Sequence, residues 1–418
     1  MKTKTVKGMN DYLPRQAELR DYLQSVIRDT YKAAGFEHII TPIPEDAENL
    51  DKSDGGDNLN LIFRIMKRGE KLRKALEAED VSEKQLSDMG LRYDLTLPLC
   101  RYFANNRQNL IMPFKAIQMD RVYRAENSQK GRLREFMQCD IDIIGSEDPE
   151  CEIELILTTA KALKKIGIGD FTVRINDRGL LRGVIEKCGF ATADIDSVCI
   201  SFDKLDKISA DGVKDELCAK GFDSTAVDTF CKFFGKEQIT MADVDAFVGG
   251  SPALDRLKYI MSGVDELSGG SVNTRFDISL VRGQGYYTGT VFEVESNEYK
   301  GAVAGGGRYD NLIGKFIGEN IPAVGFSIGF ERIFSILSDK GAVAARGARD
   351  KIVVMYGEGQ FIEAAKKAED LRETADVTLC IRGKKMGKQL ARYQERGYGY
   401  FWNIGKSEEL QSLSDDGN

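Results

Sequence analysis

Two strand-like segments joined by a short polar loop constrain the fold of this chain most strongly. Residues 114–126 ("FKAIQMDRVYRAE") and 134–145 ("REFMQCDIDIIG") are rich in apolar and β-branched side chains, and the loop between them is "NSQKGRL". This pattern predicts an antiparallel hairpin. Helical spacing of apolar residues in 15–35 and in 150 to about 165 predicts helices before and after it. The sequence therefore predicts an α+β domain whose antiparallel sheet is flanked by helices.

The rest of the chain extends this plan. The segment 36–44 ("FEHIITPIP") predicts a strand, with Pro42 tolerated at a sheet edge. Residues 177 to about 270 have a mainly helical, charged pattern, and strand character returns from 276 to 334. We expect one domain over 1–340 with a helical insertion at about 177–270. Residues 350–418 alternate strand and helix patterns, which predicts a separate C-terminal α/β domain with a parallel sheet.

Composition narrows the classes of function. The eight cysteines form no CxxC pair, which argues against a zinc site and indicates reduced thiols in a cytosol. The amino end lacks the apolar core of a secretory signal, and no apolar run approaches the roughly 20 residues of a membrane span. The net charge of -7 means that a polyanion must bind at local basic patches. The single histidine, His38, excludes a multi-histidine metal site.

The hairpin offers groups for a nucleotide. Period-2 alternation puts Arg124 and Glu126 on one face of a strand, and the loop adds Arg132 before Phe136. Such a loop can bend over a triphosphate, with Arg124 as a bidentate clamp and Phe136 stacked on a base. The alternative is an exposed basic turn with an ordinary cross-strand ion pair.

A second group is "AVGFSIGFERI" (323–333), in which Gly325 and Gly329 allow close approach of a ligand and Arg332 can stack on a ring. The alternative is tight strand–helix packing with Glu331 and Arg332 in solvent. The chain has no GxxxxGK[ST] segment, so a P-loop is excluded.

Two shorter segments suggest a small-molecule pocket. In "AGGGRYDNL", Gly305 to Gly307 predict a turn with an open floor, and Tyr309 is placed to close a pocket; a hairpin turn with a packed tyrosine is the alternative. In "LRYDLTLPL", Asp94 and Thr96 fit an α-amino group, and the alternative is a helix N-cap at Thr96.

Taken in order, these segments resemble the histidyl-tRNA synthetase family of class II aminoacyl-tRNA synthetases, from the first residues to about residue 405. "KGMNDYLP" is similar to the amino-terminal signature, "GFEHIITPI" to motif 1, "YRAENSQKGRLREF" to motif 2 and "GFSIGFERI" to motif 3. "LRYDLT", "VRGQGYYTG" and "GGGRYD" are similar to the histidine-specific segments. The fold class is accordingly expected to be class II synthetase-like.

The resemblance implies roles for individual residues. The residues implied in ATP binding are Arg124, Glu126, Arg132, Phe136, Gly329 and Arg332. The residues implied in histidine binding are Asp94, Thr96, Gln138, Asp142, Tyr286, Tyr287 and Tyr309. Arg124 and Arg282 are implied as the catalytic cations at the α-phosphate, and no residue is expected to be a metal ligand.

The resemblance also implies a reaction and its partners. Histidine is activated with ATP and Mg²⁺ to histidyl-adenylate and then passed to tRNA-His by a cytoplasmic homodimer that binds no membrane. The C-terminal domain resembles an anticodon-binding domain. Its segment 381–397 carries six basic residues against one acidic residue, Glu395. Such a concentration suits a phosphate backbone, and a solvated helix face is the alternative.

The chain departs from the family pattern in two places. Gln284-Gly285 stands where the family usually has Leu-Asp, and the segment after "FWNIG" (401–405) is shorter than usual. A different function therefore stays open: a paralogue that does not charge tRNA, such as the histidine-sensing regulatory subunit of ATP phosphoribosyltransferase.

Overall fold

The computed structural model describes residues 3–51, 61–77, 81–126, 133–202, 205–236, 238–281, 286–297, 299, 301–342 and 349–413. The strands in these ranges are β1 (Glu37–His38), β2 (Pro44–Asp46), β3 (Phe63–Met66), β4 (Ser87–Leu91), β5 (Phe114–Tyr123), β6 (Glu135–Ile144), β7 (Phe171–Asp177), β8 (Asn273–Phe276), β9 (Thr290–Ser296), β10 (Ala302–Arg308), β11 (Ala323–Gly329), β12 (Asp350–Tyr356), β13 (Ala375–Ile381), β14 (Tyr400–Asn403) and β15 (Gln411–Ser412).

The helices in the same ranges follow the chain in order. They are α1 (Pro14–Ala33), α2 (Ala47–Leu50), α3 (Gly69–Leu76), α4 (Glu83–Leu86), α5 (Thr96–Asn106), α6 (Glu150–Lys165), α7 (Arg178–Lys187), α8 (Ile195–Phe202), α9 (Leu205–Ala219), α10 (Ser224–Phe234), α11 (Met241–Val248), α12 (Pro252–Ser268), α13 (Gly314–Ile317), α14 (Phe330–Asp339), α15 (Phe361–Arg372) and α16 (Met386–Gln394). None of these helices combines the length and the apolarity needed to cross a membrane.

The chain forms two compact units. One contains Met1–Tyr12 and Leu23–Gly341, and the other contains Leu13–Tyr22 and Ala342–Asn418. Helix α1 contributes to both, because its first turns belong to the second unit and the remainder to the first.

A mixed sheet organises the first unit. Within the described residues its strand order is β1-β5-β6-β11-β10-β9-β7-β8. The two edge pairs, β1/β5 and β7/β8, are parallel, and every pair between them is antiparallel. Strands β5 and β6 pair from Phe114↔Ile144 to Tyr123↔Glu135, which confirms the predicted hairpin strands. The helices α7 to α12 occupy the stretch for which a helical insertion was predicted.

The predicted strand over 36–44 is shorter in the structure. Only Glu37–His38 pairs with β5, and a second short strand begins at Pro44 in the three-stranded sheet β2-β4-β3. Pro42 and Pro44 have no backbone N–H to donate, and β1 lies at the edge of its sheet. A continuous ladder through this segment is therefore not available.

The second unit is built on a smaller sheet, in the order β13-β12-β14-β15. Strands β12, β13 and β14 are parallel, with α15 and α16 in the connections, as the alternating pattern predicts. Strand β15 pairs antiparallel to β14 through Tyr400↔Ser412 and Phe401↔Gln411. The sequence pattern did not predict this last strand, because its side chains are polar and exposed.

Candidate active site

A cavity of about 480 Å³ in the first unit brings the predicted site residues together. It lies over the mixed sheet, where β6, β9, β10 and β11 contribute lining residues. The predicted residues that line it are Asp94, Thr96, Arg124, Glu126, Phe136, Gln138, Asp142, Tyr286, Tyr287, Tyr309, Gly329 and Arg332. The remaining two, Arg132 and Arg282, lie outside the described residues.

The pairing of β6 with β11 determines which side chains lie next to one another at one end of the cavity. Gln138, Asp140 and Asp142 alternate along β6 and therefore share a face. They are paired with Gly329, Ser327 and Gly325 of β11, respectively. A row of acceptor side chains thus faces a strand that carries only small residues at the facing positions.

Three carboxyl groups are buried at this end. Asp94, Asp140 and Asp142 are each about 95% or more buried. Burial raises the pKa of Asp94 to about 6 and that of Asp142 to about 7, and the nearby Asp94 charge adds to the rise for Asp142. The pKa of Asp140 is also raised, first by burial and then by the Asp142 charge. Buried carboxylates that repel one another in this way favour a cationic ligand.

Tyrosines form the wall beside Asp142. Tyr309 donates its hydroxyl hydrogen to Asp142 Oδ1 at 2.6 Å, and this bond offsets part of the rise in the pKa of Asp142. The ring of Tyr286 lies 4.9 Å from that of Tyr287 and 6.1 Å from that of Tyr309. Tyr286 and Tyr309 also belong to a buried apolar cluster with Leu97 and Phe103, which restricts their rotamers. The pocket wall is thus continuous with the core.

Close packing explains the glycines of "GGGRYD", which were predicted to form a turn. Gly305, Gly306 and Gly307 instead lie within strand β10, so this prediction was wrong. A Cβ on Gly306 would lie 2.0 Å from the carbonyl oxygen of Gly325 and 2.7 Å from the ring of Phe292. The glycine is therefore required by close packing inside a fully paired strand.

Phe136 lies toward the other end of β6, and Arg124 lies between it and the acids, where its charge lowers the pKa of Asp94 and of Asp140. The guanidinium carbon of Arg124 is 5.0 Å from the centroid of the Phe136 ring, and Arg124 Nε donates to the carbonyl oxygen of Tyr93 at 3.0 Å. Arg124 and Glu126 were predicted to lie within a strand, but β5 ends at Tyr123. The hydrogen bonds between the two strands end with the one from Arg124 N to the carbonyl oxygen of Arg134. The next backbone N–H, that of Ala125, donates to the carbonyl oxygen of Leu61 instead.

The first turn of α14 closes this end of the cavity. Glu331 accepts hydrogen bonds from Met137 N at 3.1 Å and from the Tyr12 hydroxyl at 3.2 Å. Arg332 donates to the carbonyl oxygen of Ala302. Both side chains line the cavity, so the alternative that places them in solvent is wrong.

The start of α5 excludes a helix N-cap at Thr96 in "LRYDLT". The helix begins at Thr96, and Asp94 Oδ1 accepts the hydrogen bond of Leu97 N at 3.2 Å, so Thr96 is not the cap. The Thr96 hydroxyl instead lies 3.4 Å from the Tyr286 hydroxyl. Asp94 combines part of a capping role with a position in the cavity wall.

Some lining residues were not predicted as site residues. Asp140 and Ser327 line the cavity, as does Glu293, which accepts a hydrogen bond from Arg174 Nη1 at 3.4 Å. The period-2 spacing of Asp140 between Gln138 and Asp142 was the available signal for the first of them. His38 is exposed in β1 and does not line the cavity.

A protein-bound metal has no ready ligand set in the part of the chain that the structure describes. Among those residues, no group of three or more His, Cys, Asp and Glu side chains is placed to hold an ion. Mg²⁺ in nucleotide sites is commonly held by one or two carboxylates together with the phosphates, so the residues present fit an ion that arrives with a nucleotide.

The family model for histidyl-tRNA synthetase matches residues 8–333. A histidine--tRNA ligase from Leifsonia xyli is 41% identical over 410 residues, covering 94% of this chain and 94% of the relative. A histidine--tRNA ligase from Christiangramia forsetii is 33% identical, covering 96% of this chain and 92% of the relative.

Solved structures agree with the fold. The histidyl-tRNA synthetase of a Nostoc species superposes with a TM-score of 0.77 at 28% identity, covering 96% of this chain and 91% of that one. A Bacillus halodurans protein described as an ATP phosphoribosyltransferase regulatory subunit/histidyl-tRNA synthetase has the same TM-score at 20% identity, covering 96% of this chain and 98% of that one, which shows the fold alone. The predicted class II fold is confirmed, and the chain belongs to the histidyl-tRNA synthetase family.

Proposed function

We propose that this protein is a histidine--tRNA ligase, which activates histidine with ATP and transfers it to the 3′ end of tRNA-His. The observation that carries the proposal is the cavity itself. It holds buried acids and tyrosines at one end and the Phe136 and Arg332 side chains at the other, with Arg124 between them. A cationic, aromatic amino acid fits the first end, and a nucleotide fits the second.

The reaction needs no protein nucleophile. The carboxylate of histidine attacks the α-phosphorus of ATP, the bond to the bridging oxygen breaks, and pyrophosphate leaves with the electron pair. Negative charge is spread over the phosphate oxygens in the transition state, and fixed cations stabilise it. Arg124 is held by Tyr93 O and Phe136 in a position that suits this role. We assign the second cation to Arg282.

The remaining roles follow the two ends of the cavity. Asp94, Thr96 and Gln138 bind the α-amino group, and Asp142 with Tyr286, Tyr287 and Tyr309 binds the imidazole. In the nucleotide half, Glu126 meets the adenine amino group, Phe136 and Arg332 flank the base next to Gly329, and Arg132 meets the outer phosphates. The phosphates of bound ATP would bring a Mg²⁺ ion, which would supply positive charge to neutralise them.

The proposed partners extend beyond the cavity. Five basic side chains of the second unit are exposed on and next to α16, and they suit a tRNA backbone: Lys384, Lys385, Lys388, Arg392 and Arg396. The sixth, Arg382, is committed to the fold because it donates to the carbonyl oxygen of Ile404 at 2.6 Å. We also propose a cytoplasmic homodimer assembled through the segment 35–43 ("GFEHIITPI"), because it resembles motif 1, which builds the dimer interface in the family.

Pyrophosphate exchange tests the proposal. Purified protein with Mg²⁺ should incorporate labelled pyrophosphate into ATP when histidine is present, and should charge tRNA-His; the other amino acids serve as controls. The absence of histidine-dependent exchange would overturn the proposal. Exchange without charging would indicate an enzyme that makes the adenylate for another acceptor. The regulatory-subunit alternative has less support, because relatives at 32–41% identity over nearly the whole chain are named histidine--tRNA ligases.

A further inference from the structure

Three buried acceptor atoms at the acidic end of the cavity stand without partners. Asp94 Oδ2, Gln138 Oε1 and Asp140 Oδ1 have no hydrogen-bond partner among the described residues. All three side chains line the cavity, and the two aspartates are 2% and 5% exposed. Buried polar atoms are normally satisfied, and leaving one unsatisfied costs about 1–3 kcal/mol. The three atoms therefore indicate a ligand that brings hydrogen-bond donors.

Asp140 is held so that one oxygen remains available. Its Oδ2 lies 3.5 Å from Gln138 Nε2, which also donates to Ser327 Oγ at 3.0 Å. Ser327 is the residue paired with Asp140 across β6 and β11. The Gln138 amide thus has its nitrogen directed to Ser327 and Asp140, while its oxygen and Asp140 Oδ1 are left for a ligand. Asp140 itself lies between Gln138 and Asp142 on the face that forms the cavity floor.

The chemistry of these acceptors selects one kind of group. An ammonium group has three donors, no acceptor and a positive charge. Arg124 lowers the pKa of Asp94 and of Asp140, but burial outweighs it and both pKa values stay raised, so a further positive charge is favoured at these carboxyl groups. Among the groups of histidine, the primary ammonium supplies three donors together with a permanent charge.

We propose that Asp140 is a further ligand of the substrate's α-ammonium group, acting beside Asp94, Thr96 and Gln138. The inference rests on the proposed activation of histidine. It adds a binding role for Asp140, a residue to which the family resemblance assigned none. Asp140 thereby discriminates an amino acid from an analogue that lacks the amino group.

The experiment compares two ligands on two proteins. Calorimetry measures the Kd of L-histidine and of 3-(imidazol-4-yl)propionate, which lacks only the amino group, for the wild-type protein and for Asp140→Asn. We expect D140N to raise the Kd of L-histidine about 10- to 100-fold, the range for losing a hydrogen bond to a charged group. The Kd of the analogue should stay within about twofold of its wild-type value. Asp142→Asn is the contrasting variant. This variant should raise the Kd of both ligands, because both contain the imidazole.

The outcomes separate this inference from the proposed function. If the wild-type protein neither binds histidine nor exchanges pyrophosphate with it, the proposed function itself fails. If the wild-type protein does both but D140N weakens the two ligands equally, or weakens neither, then Asp140 is not an ammonium ligand. Circular dichroism checks that D140N is folded; if it is not, Asp140→Ser is measured with the same pair of ligands and interpreted in the same way.

Discussion

Gly325 of β11 faces Asp142 of β6 so closely that a Cβ on Gly325 would lie 2.0 Å from Asp142 Oδ1. The same oxygen accepts the hydrogen bond of the Tyr309 hydroxyl at 2.6 Å. The carboxyl group is therefore held between a strand that has no side chain at this position and a tyrosine that orients it. This arrangement places the proposed imidazole ligand.

We expect Gly325→Ala to displace the Asp142 carboxyl group. The added methyl group forces the Asp142 carboxyl group to move and disturbs its bond with Tyr309, so the KM for histidine in pyrophosphate exchange should rise about tenfold or more, with the KM for ATP much less affected. Gly183→Ala in α7 is the matched control, because no atom lies within 4 Å of its added Cβ. An unchanged KM for histidine in G325A would contradict the assignment of Asp142.

Tyr309→Phe should shift the pH dependence of histidine binding. Asp142 has a pKa of about 7, and the Tyr309 hydrogen bond lowers it. Without that bond the pKa rises further, so a higher pH is needed to ionise the carboxyl group. Histidine binding should weaken as the pH falls through about 7 in the wild type, and the midpoint should move up by about one pH unit in Y309F.

The profile of KM for histidine against pH checks this expectation. Free histidine also titrates in this range, but its titration is common to both proteins and cancels in the ratio of their KM values. A ratio that does not vary with pH would show that Tyr309 does not act through the ionisation of Asp142.

Asp142→Asn should stabilise the ligand-free protein at alkaline pH. The folded-state pKa of Asp142 lies above its usual value of 3.8. Its stabilising contribution is therefore complete below about pH 4 and is lost as the pH rises through about 7. Asparagine carries no charge. The free energy of unfolding of D142N should therefore exceed that of the wild type by on the order of a few kcal/mol at pH 8 and by much less at pH 4.5. Urea unfolding at both pH values measures this. Equal differences at the two pH values would rule out the buried charge as the cause.

A buried ion cluster next to Tyr309 should dominate the stability of this region. Glu152 of α6 is fully buried and accepts two hydrogen bonds of 2.8 Å from Arg308 at the end of β10. Arg256 of α12 donates to the same carboxylate at 3.0 and 3.1 Å. Glu152→Gln should lower the free energy of unfolding by about 3–5 kcal/mol, because Arg308 stays buried with less counter-charge.

The control for this variant lies on the opposite side of the same helix, two residues further along. Glu154→Gln removes a partly exposed pair with Lys115 at 2.6 Å and should cost about 1 kcal/mol or less. Urea midpoints of both variants provide the comparison. Similar losses in the two variants would contradict the distinction between the buried and the partly exposed pair.

Arg282→Ala should reduce pyrophosphate exchange about 10²- to 10³-fold while histidine binding largely survives, because a cation at the reacting phosphate acts mainly in the transition state. Single-turnover rates and the Kd of histidine separate the two effects. A collapse of histidine binding in R282A would instead indicate a structural or ground-state role.

Much of the site followed from local spacing together with the family resemblance. The resemblance assigned Gln138 and Asp142 to the site, and both lie on one face of β6; the glycine-spaced strand before Arg332 was predicted from the residues as the structure has it. The twelve predicted site residues that the structure describes line one cavity, although their segments are far apart in the chain. Their individual roles remain predictions.

Local spacing failed where a distant strand decides the outcome. Three consecutive glycines predict a turn because glycine is permissive, yet Gly306 lies inside a strand because β9 and β11 pack against it. Asp140 was not predicted as a site residue, since its significance lies in the unpartnered oxygen and in Ser327 opposite it.

The sequence by itself determined the type of the elements with clear hydrophobic periodicity, such as α1, α6 and the strands β5 and β6, because that periodicity depends only on neighbours along the chain. It also determined which chemical groups are available: arginines, acids and tyrosines, with one histidine. Only the tertiary structure decided which strands pair, which carboxyl groups lose water and which oxygen atoms are left unpartnered. Those properties arise from the register between strands that are distant in sequence, and they are the ones that shift the pKa of Asp142 and single out Asp140.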